Sequence, residues 1–489
     1  MVWKFKRRLR CADWKRQVLY YIGVAFSLIL VWNIVVINLH FDSVESEIYI
    51  DAGGTSRRKH GTQRSETNVF HVSKIPFART GLRYAFESRL RKLLEIMEID
   101  LDNNVANVVT ENVLTYDTYF PDRQLYCDDV MNITNMTFIA SGWTKAVYKG
   151  VFRDIPVAIK TVDVKGQDVT TCMNEGNTET TCFVKAAKKI VKEIVVLQAL
   201  TGQNVLKVLG FCLPRDTDDN LWVAMVTELG EAVDLIKLLQ MSWEDRLRIS
   251  MDVTAIVNMM SETPYGSLAM NDFRRQQFVL VNGVLKLSDV DDIGFRDLPC
   301  TRNSDCHVDF ASMNFTQISE CVHGRCVELN EKRNIFNAGR HFVIYLLPHG
   351  APPRLQPIVE EIVAGYTYIS MTSEQLLAKI TSLKQLYQSG WYLNRTEYAT
   401  RNASYKRLTE TDMPGFYDYL CRLSVAMATC TVSVYDQIEA EDLCNQDDHC
   451  RAFVMVTQKT WTGRTVVHFK NTVGSLRTNT NTTLFVKPS

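Results

Sequence analysis

The chain has 489 residues, 46% of them apolar and 22% charged, with lysine plus arginine balancing aspartate plus glutamate at 55 each. That composition excludes a disordered or collagen-like polymer, and the neutral balance supplies no field for nucleic acid, which is not an expected partner. No repeat of solenoid period, heptad array or low-complexity tract occurs, which excludes repeat scaffolds.

Basic charge is concentrated at the start, where Lys4, Lys6, Arg7, Arg8, Arg10, Lys15 and Arg16 precede an uncharged run from Gln17 to Leu39. At about 1.5 Å per residue that run covers a hydrocarbon core of roughly 30 Å. The positive-inside bias predicts a cytosolic tail at 1–16, a transmembrane signal anchor at 17–39 and a lumenal body, a type II topology. A cleavable signal peptide is the alternative, and it sends the body to the same compartment. Cys11 alone precedes the run; the other twelve of 13 cysteines follow it, an even number suited to disulfides. Acceptor sequons at Asn132, Asn135, Asn314, Asn394, Asn402 and Asn481 agree with a secretory route. Residues 40–126 read as a lumenal stem, polar from Gly53 to Thr67, where cleavage would release the body, and helically patterned from Tyr84 to Asp100.

From Cys127 the pattern runs strand, glycine turn, strand (Phe138 to Lys160), helix (Ala186 to Leu200), strands (Val205 to Leu229), then mostly helices with one hairpin. That order predicts an α+β fold of two lobes. Two β-rich runs from Ile139 to Phe152 join through Gly142 and lead to Val157-Ala158-Ile159-Lys160. In the following helix Ile190, Ile194 and Leu197 form the buried stripe with Glu193 beside it; taken alone, Glu193 also reads as an i to i+4 partner of Lys189. Val223 to Gly230 reads as a buried strand ending in an acidic-apolar-glycine hinge at Glu228 and Leu229. Ser242 caps a helix whose apolar residues recur at Ile249, Val253, Ile256 and Met260. Beyond it, two short apolar strands flank Asn282-Gly283, a type I′ hairpin signal that brings Asp272 near Asp289.

In order and spacing this series resembles the protein kinases. The resemblance implies ATP bound between two lobes, with Ser141, Gly142, Val147 and Ala158 covering the nucleotide and the backbone of Glu228 and Leu229 meeting adenine. It also implies that Lys160, aligned by Glu193, pairs with the phosphates, that Asp272 accepts the substrate hydroxyl proton, and that Asp289 and Gln277 hold Mg2+ or Mn2+. Four departures stand out: Met270-Asn271 in place of His-Arg, Gln277 in place of asparagine, Asp289-Val-Asp291 in place of Asp-Phe-Gly, and no Ala-Pro-Glu. Asp291 or Asp292 is the carboxylate expected to compensate at the second metal position.

The departures themselves, with Ser-Gly-x-Thr-Lys-Ala-Val-Tyr, Asp-Phe-Arg-x-x-Gln-Phe-Val-Leu-Val, Asn330-Glu-Lys-Arg-Asn334, Tyr345-Leu-Leu-Pro-His349 and Thr460-Trp-Thr-Gly-Arg464, resemble the vertebrate lonesome kinase family of secreted tyrosine-protein kinases. The similarity covers roughly Cys127 to the C-terminus. It implies ATP-dependent phosphorylation of tyrosine on lumenal, secreted and extracellular-matrix proteins, within the Golgi and secretory pathway or after release. Arg274, where serine/threonine kinases have lysine, agrees with a tyrosine acceptor. A pseudokinase acting as a binding module and a kinase of glycan hydroxyls are the rival readings, and oligomeric state stays open.

Cys300, Cys306, Cys321 and Cys326 stand where an ordinary kinase has its phosphorylated activation loop, so disulfides would fix that loop, with zinc as the alternative; spacing leaves the pairing open. Cys172 and Cys182 are expected to close an insert, while Cys127 and Cys212 either pair or lie buried. The kinase domain is expected to span 127–420 and to include a capped helix from Thr372 to Tyr387. Cys421, Cys430, Cys444 and Cys450 then close an extension, 421–489, expected to enlarge the helical lobe.

Overall fold

The computed structural model describes residues 125–488 except 201, 213–222, 264–266, 295–296, 311–314, 394–404, 422–423 and 425–428. The expected tail, anchor and patterned stem helix lie outside the described residues, among which no helix is long and apolar enough to cross a membrane.

The first lobe is an antiparallel sheet of β1 (Thr134–Ser141), β2 (Lys145–Phe152), β3 (Ile155–Val162), β4 (Val208–Cys212) and β5 (Ala224–Glu228), in the order β1-β2-β3-β5-β4. Strands β2 and β3 meet through Arg153 and Asp154, both at positive φ (47° and 66°), a two-residue turn whose twist suits a hairpin. One face of the sheet, with Val157, Ile159 and Val226, is closed by Leu125, Val130 and Ile133 in and around the short helix α1 (Cys127–Met131). A Cys127–Cys212 disulfide ties that helix to β4. Beyond β3 come α2 (Gln167–Asn174) and α3 (Glu179–Ala199), joined by Cys172–Cys182. Helix α3 begins seven residues before the expected Ala186, because Thr178 caps it by accepting from the Thr181 amide and the buried stripe extends back through Cys182 and Phe183.

The second lobe holds α4 (Leu235–Gln240), α5 (Trp243–Ser261), α6 (Leu329–Ala338, continued by a π-turn to Leu346), α7 (Gln356–Tyr368) and α8 (Ser373–Gln388). The Ser242 hydroxyl accepts from the Asp245 amide at 3.0 Å, the cap expected of it, and Thr372 with Gln375 forms a capping box on α8. Short strands β6 (Glu231–Ala232), β7 (Ala269–Met270), β8 (Phe278–Val281), β9 (Val284–Leu287) and β10 (Ile293–Gly294) line the junction of the lobes. Asn282 and Gly283 sit at φ 51° and 75° between β8 and β9, as a type I′ turn requires. The segment before α6 folds into two hairpins, β11 (His307–Phe310) with β12 (Phe315–Ile318) and β13 (Cys321–Val322) with β14 (Arg325–Cys326). Cys300–Cys321 and Cys306–Cys326 disulfides cross-link it, which replaces the zinc alternative.

The C-terminal part differs from expectation. Instead of further helices it forms an antiparallel sheet of β15 (Lys406–Asp412), β16 (Thr431–Val434), β17 (Ala452–Lys459), β18 (Thr465–Lys470) and β19 (Arg477–Val486), carrying one helix, α9 (Gln437–Gln446). Ala452, Phe453 and Val454 in β17, and Thr465, Val466 and Val467 in β18, are buried consecutively, so neither strand shows the alternation by which a half-exposed strand is recognised. Cys421–Cys430 and Cys444–Cys450 close its loops.

The segment Thr460 to Arg464 docks this sheet on the helical lobe. Buried Glu244 of α5 accepts from Ser433 (2.5 Å), Thr460 (2.6 Å) and Thr462, while the Arg464 guanidinium lies 4.3 Å from the Tyr387 ring centre and pairs with Glu439 at 2.7 Å. Glu244→Ala removes the shared acceptor of all three hydroxyls. It is expected to lower stability by about 2–4 kcal/mol, read from the midpoint of chemical denaturation, whereas an isolated surface hydrogen bond would cost about 1 kcal/mol.

Candidate active site

Strand period and register decide which side chains face the junction. Val147 is paired with Lys160 across β2 and β3, so the two point to one face, and Lys145, two residues back along β2, joins them there. On that face Glu193 of α3 is fully buried and shared by two lysines. Lys160 Nζ donates to its Oε1 at 2.5 Å, and Lys145 Nζ donates to its Oε2. Lys189 instead pairs with Asp168 at 2.6 Å, so the i to i+4 alternative for Glu193 is not the one adopted.

Both lysines then reach the segment after β9. Lys160 donates to the Ser288 carbonyl at 3.0 Å and hydroxyl at 3.1 Å, and Lys145 to Asp289 Oδ1 at 2.7 Å and Asp291 Oδ2 at 3.2 Å. Burial pushes the Asp289 carboxyl up, but Lys145 and Lys160 outweigh it and hold it down at about 2. Asp291 moves the other way, to about 6. Its burial comes first; Lys145 opposes the rise, and the neighbouring Asp289, Glu193 and Asp292 charges add to it. For Lys145 burial opposes the charge, yet Glu193, Asp289 and Asp291 together raise its pKa above the ordinary lysine range. Lys145 is the residue that motif reading passed over. Once Val147 and Lys160 are assigned to the inner face, the two-residue period of β2 points to it.

Asp272 follows β7, whose Met270 pairs with Ile293 of β10. Asn334 of α6 fixes this strand, accepting from the Met270 amide at 3.1 Å and donating to the Leu268 carbonyl at 2.8 Å. Asn271, where kinases have arginine, donates to the Asp292 carbonyl at 2.9 Å. The Asp272 carboxylate accepts from Arg274, through Nε and through Nη2 at 2.5 Å, and from the Gln277 amide nitrogen. The Gln277 carbonyl in turn accepts from the Ser288 and Asp289 amides at 2.9 and 3.1 Å, so the backbone itself ties the Asp272 loop to Asp289. With its nitrogen on Asp272, Gln277 has its amide oxygen to offer a cation. Beneath them Phe273 stacks on His341, which burial and then Arg340, Arg275 and Arg274 push down to about 4.

At the residues expected to cover a nucleotide, the β1–β2 turn is short and tied. The Gly142 amide donates to the Lys145 carbonyl at 2.8 Å and the Ser141 hydroxyl to Asp163, so both groups are used within the first lobe. A Cβ on Gly166 would lie 2.6 Å from the Trp143 carbonyl, so glycine is needed there for α2 to approach the turn. Ala158 lies buried in β3 and Val147 half-buried opposite Lys160. At the end of β5 the Glu228 carboxylate accepts from Lys286 (2.5 Å) and from the Lys207 amide (2.8 Å), and Leu229 is half-buried. Gly230 completes the hinge, where a Cβ would meet Val279 at 2.7 Å.

The carboxylate oxygens of Glu193, Asp289 and Asp291 lie within 4.8 Å of one another. An all-oxygen anionic set suits Mg2+ or Mn2+, and the Lys145 ammonium already stands among them as a cation would. A five-stranded sheet with a lysine–glutamate pair, a hinge and two facing aspartates across a hairpin defines the protein-kinase-like class. The family profile described as the protein-kinase domain of FAM69 matches residues 188–365. The human extracellular tyrosine-protein kinase PKDCC is 38% identical over 370 residues, 76% of this chain and 74% of that protein. The chain belongs to the lonesome kinase family of divergent protein kinases.

Two ammoniums face three carboxylates in this cluster, which bears on metal-free stability. Asp291 has a folded pKa of about 6, above its unfolded value of 3.8, so it stabilises the fold while protonated and loses that contribution as pH rises from about 4 through 6. Asp291→Asn is therefore expected to raise the metal-free melting temperature at pH 7 and to leave it unchanged at about pH 4; circular dichroism melts at both pH values check this.

Proposed function

We propose that this chain is an ATP-dependent protein kinase of the secretory pathway and extracellular space that phosphorylates tyrosine on lumenal, secreted or matrix proteins. The observation that carries the reading is the convergence of Lys160, Glu193 and Asp289, with Asp272 tied to Asp289 through the Gln277 backbone. The name of the human relative supports the tyrosine acceptor and the extracellular setting.

In this reading Glu193 holds Lys160 extended toward the phosphates, and the backbone of the hinge at Glu228 and Leu229 meets adenine. Asp289 and Asp291, with the Gln277 amide oxygen, would hold Mg2+ or Mn2+, which when bound neutralises charge between the outer phosphates. Asp272 gives up one of its Arg274 contacts and accepts the proton of the acceptor hydroxyl. The hydroxyl oxygen bonds to the γ-phosphorus, the bond to the β-phosphate oxygen breaks, and ADP leaves with that electron pair. Arg274, exposed beside the base, would line the acceptor side. The rival reading, a protein-binding pseudokinase, draws on the tied β1–β2 turn, which leaves the Gly142 amide engaged.

Phosphate transfer from labelled ATP to a tyrosine-containing secretory protein by the purified full chain tests the proposal. Asp272→Asn is expected to lower the rate by about 10²–10⁴-fold and Asp289→Ala to abolish it, both with unchanged circular dichroism. Activity equal in all three proteins, or absent from wild type, would sink the reading, and label on glycan instead of tyrosine would redirect it to a sugar kinase.

A further inference from the structure

Lys145 opens β2 with its side chain 8% exposed and its ammonium among three carboxylates: Glu193, Asp289 at 2.7 Å and Asp291 at 3.2 Å. Two of these are the residues the kinase reading needs for a divalent cation. An ammonium and a doubly charged ion repel strongly at such distances and cannot occupy the same space between the same oxygens. Metal entry therefore requires Lys145 to leave. Its flexible four-carbon stem permits that, whereas Lys160 is also held by both oxygens of Ser288.

The turn preceding Lys145 says where it goes. Three-glycine kinase loops lay backbone amides over the phosphates, but here the Gly142 amide donates to the Lys145 carbonyl, and the Trp143 carbonyl accepts from the Asp168 amide at 3.0 Å. The Thr144 carbonyl likewise accepts from the Asp163 amide at 2.9 Å. Such a turn stays folded onto α2, and phosphate charge must be met by side chains. Lys145 stands at its end on the Lys160 face of the sheet.

We infer that Lys145 is an exchangeable counter-ion: it neutralises Glu193, Asp289 and Asp291 while no metal is bound, then yields Asp289 and Asp291 to the metal and pairs with the nucleotide phosphates. This rests on the kinase reading above and assigns a phosphate-binding task to a second lysine of the site.

Manganese supplies the probe, because free Mn2+ can be counted by electron paramagnetic resonance without nucleotide or turnover. In the full chain, Lys145→Met is expected to bind Mn2+ about tenfold or more tightly than wild type, since the competing charge is gone. The same variant should bind a non-hydrolysable Mn2+–ATP analogue about tenfold or more weakly, and Lys145→Arg should keep a Mn2+ affinity near wild type. Circular dichroism verifies folding, and Lys145→Gln replaces the methionine variant should that one unfold. Equal Mn2+ affinity in wild type and the uncharged variant overturns the exchange, and unchanged analogue affinity overturns the phosphate role. Failure of wild type and variant alike to bind Mn2+ or analogue would instead overturn the kinase reading, and this inference with it.

Discussion

The structure hangs on one buried carboxylate. Glu193 is fully buried, and an unpaired charge there would be untenable; it is held by Lys160 from β3 and Lys145 from β2. The same two ammoniums reach Ser288, Asp289 and Asp291, so one charge cluster joins the sheet, helix α3 and the segment entering the second lobe. Neighbouring turns of α3 reinforce the arrangement: Lys189 pairs with Asp168 of α2, and Lys192 donates to the Asp291 and Ile293 carbonyls at 2.5 and 2.8 Å. Removing one partner from such a buried pair typically costs about 3–5 kcal/mol, because the charge left behind has no solvent to replace it. Helix α3 is accordingly held in the lysine-paired position by charge as well as by packing.

A second constraint concerns the segment between Asp289 and α6. In many kinases it is ordered by pairing a phosphorylated residue with arginine. Here two disulfides cross-link it, Asn330 of α6 donates to Asp297 at 3.0 Å and to the Ser267 carbonyl at 2.9 Å, and Asn271 occupies the arginine position. With covalent bridges holding the loop, no phosphate-binding arginine is needed, and the short asparagine serves the Asp292 carbonyl. Such bridges suit the oxidising compartment of the extracellular relative.

Much of the succession of elements around the candidate site was legible in the chain. Ser242 and Thr372 announced their helices by side-chain capping, Asn282-Gly283 its hairpin by positive-φ preference, and Glu228 to Gly230 its hinge by a glycine that has no room for a side chain. These are local signals, carried by residues a few positions apart. The C-terminal sheet was not legible, since strands buried on both faces lose the alternation that marks them. Nor was the task of Thr460 to Arg464, whose partners Glu244 and Tyr387 lie far away in sequence.

By itself, then, the amino-acid order determined the kinase-like succession of strand, lysine, glutamate helix, hinge and paired aspartates, because each depends on propensity, capping or turn chemistry within a short window. Tertiary structure decided which charges meet. It chose the disulfide partners from among many pairings, gave Glu193 to Lys160 and Lys145 instead of Lys189, and set Asp291 beside Asp289. The physical reason is that Coulomb and hydrogen-bond energies depend on distance in space and on burial, and neither is set until the lobes have packed.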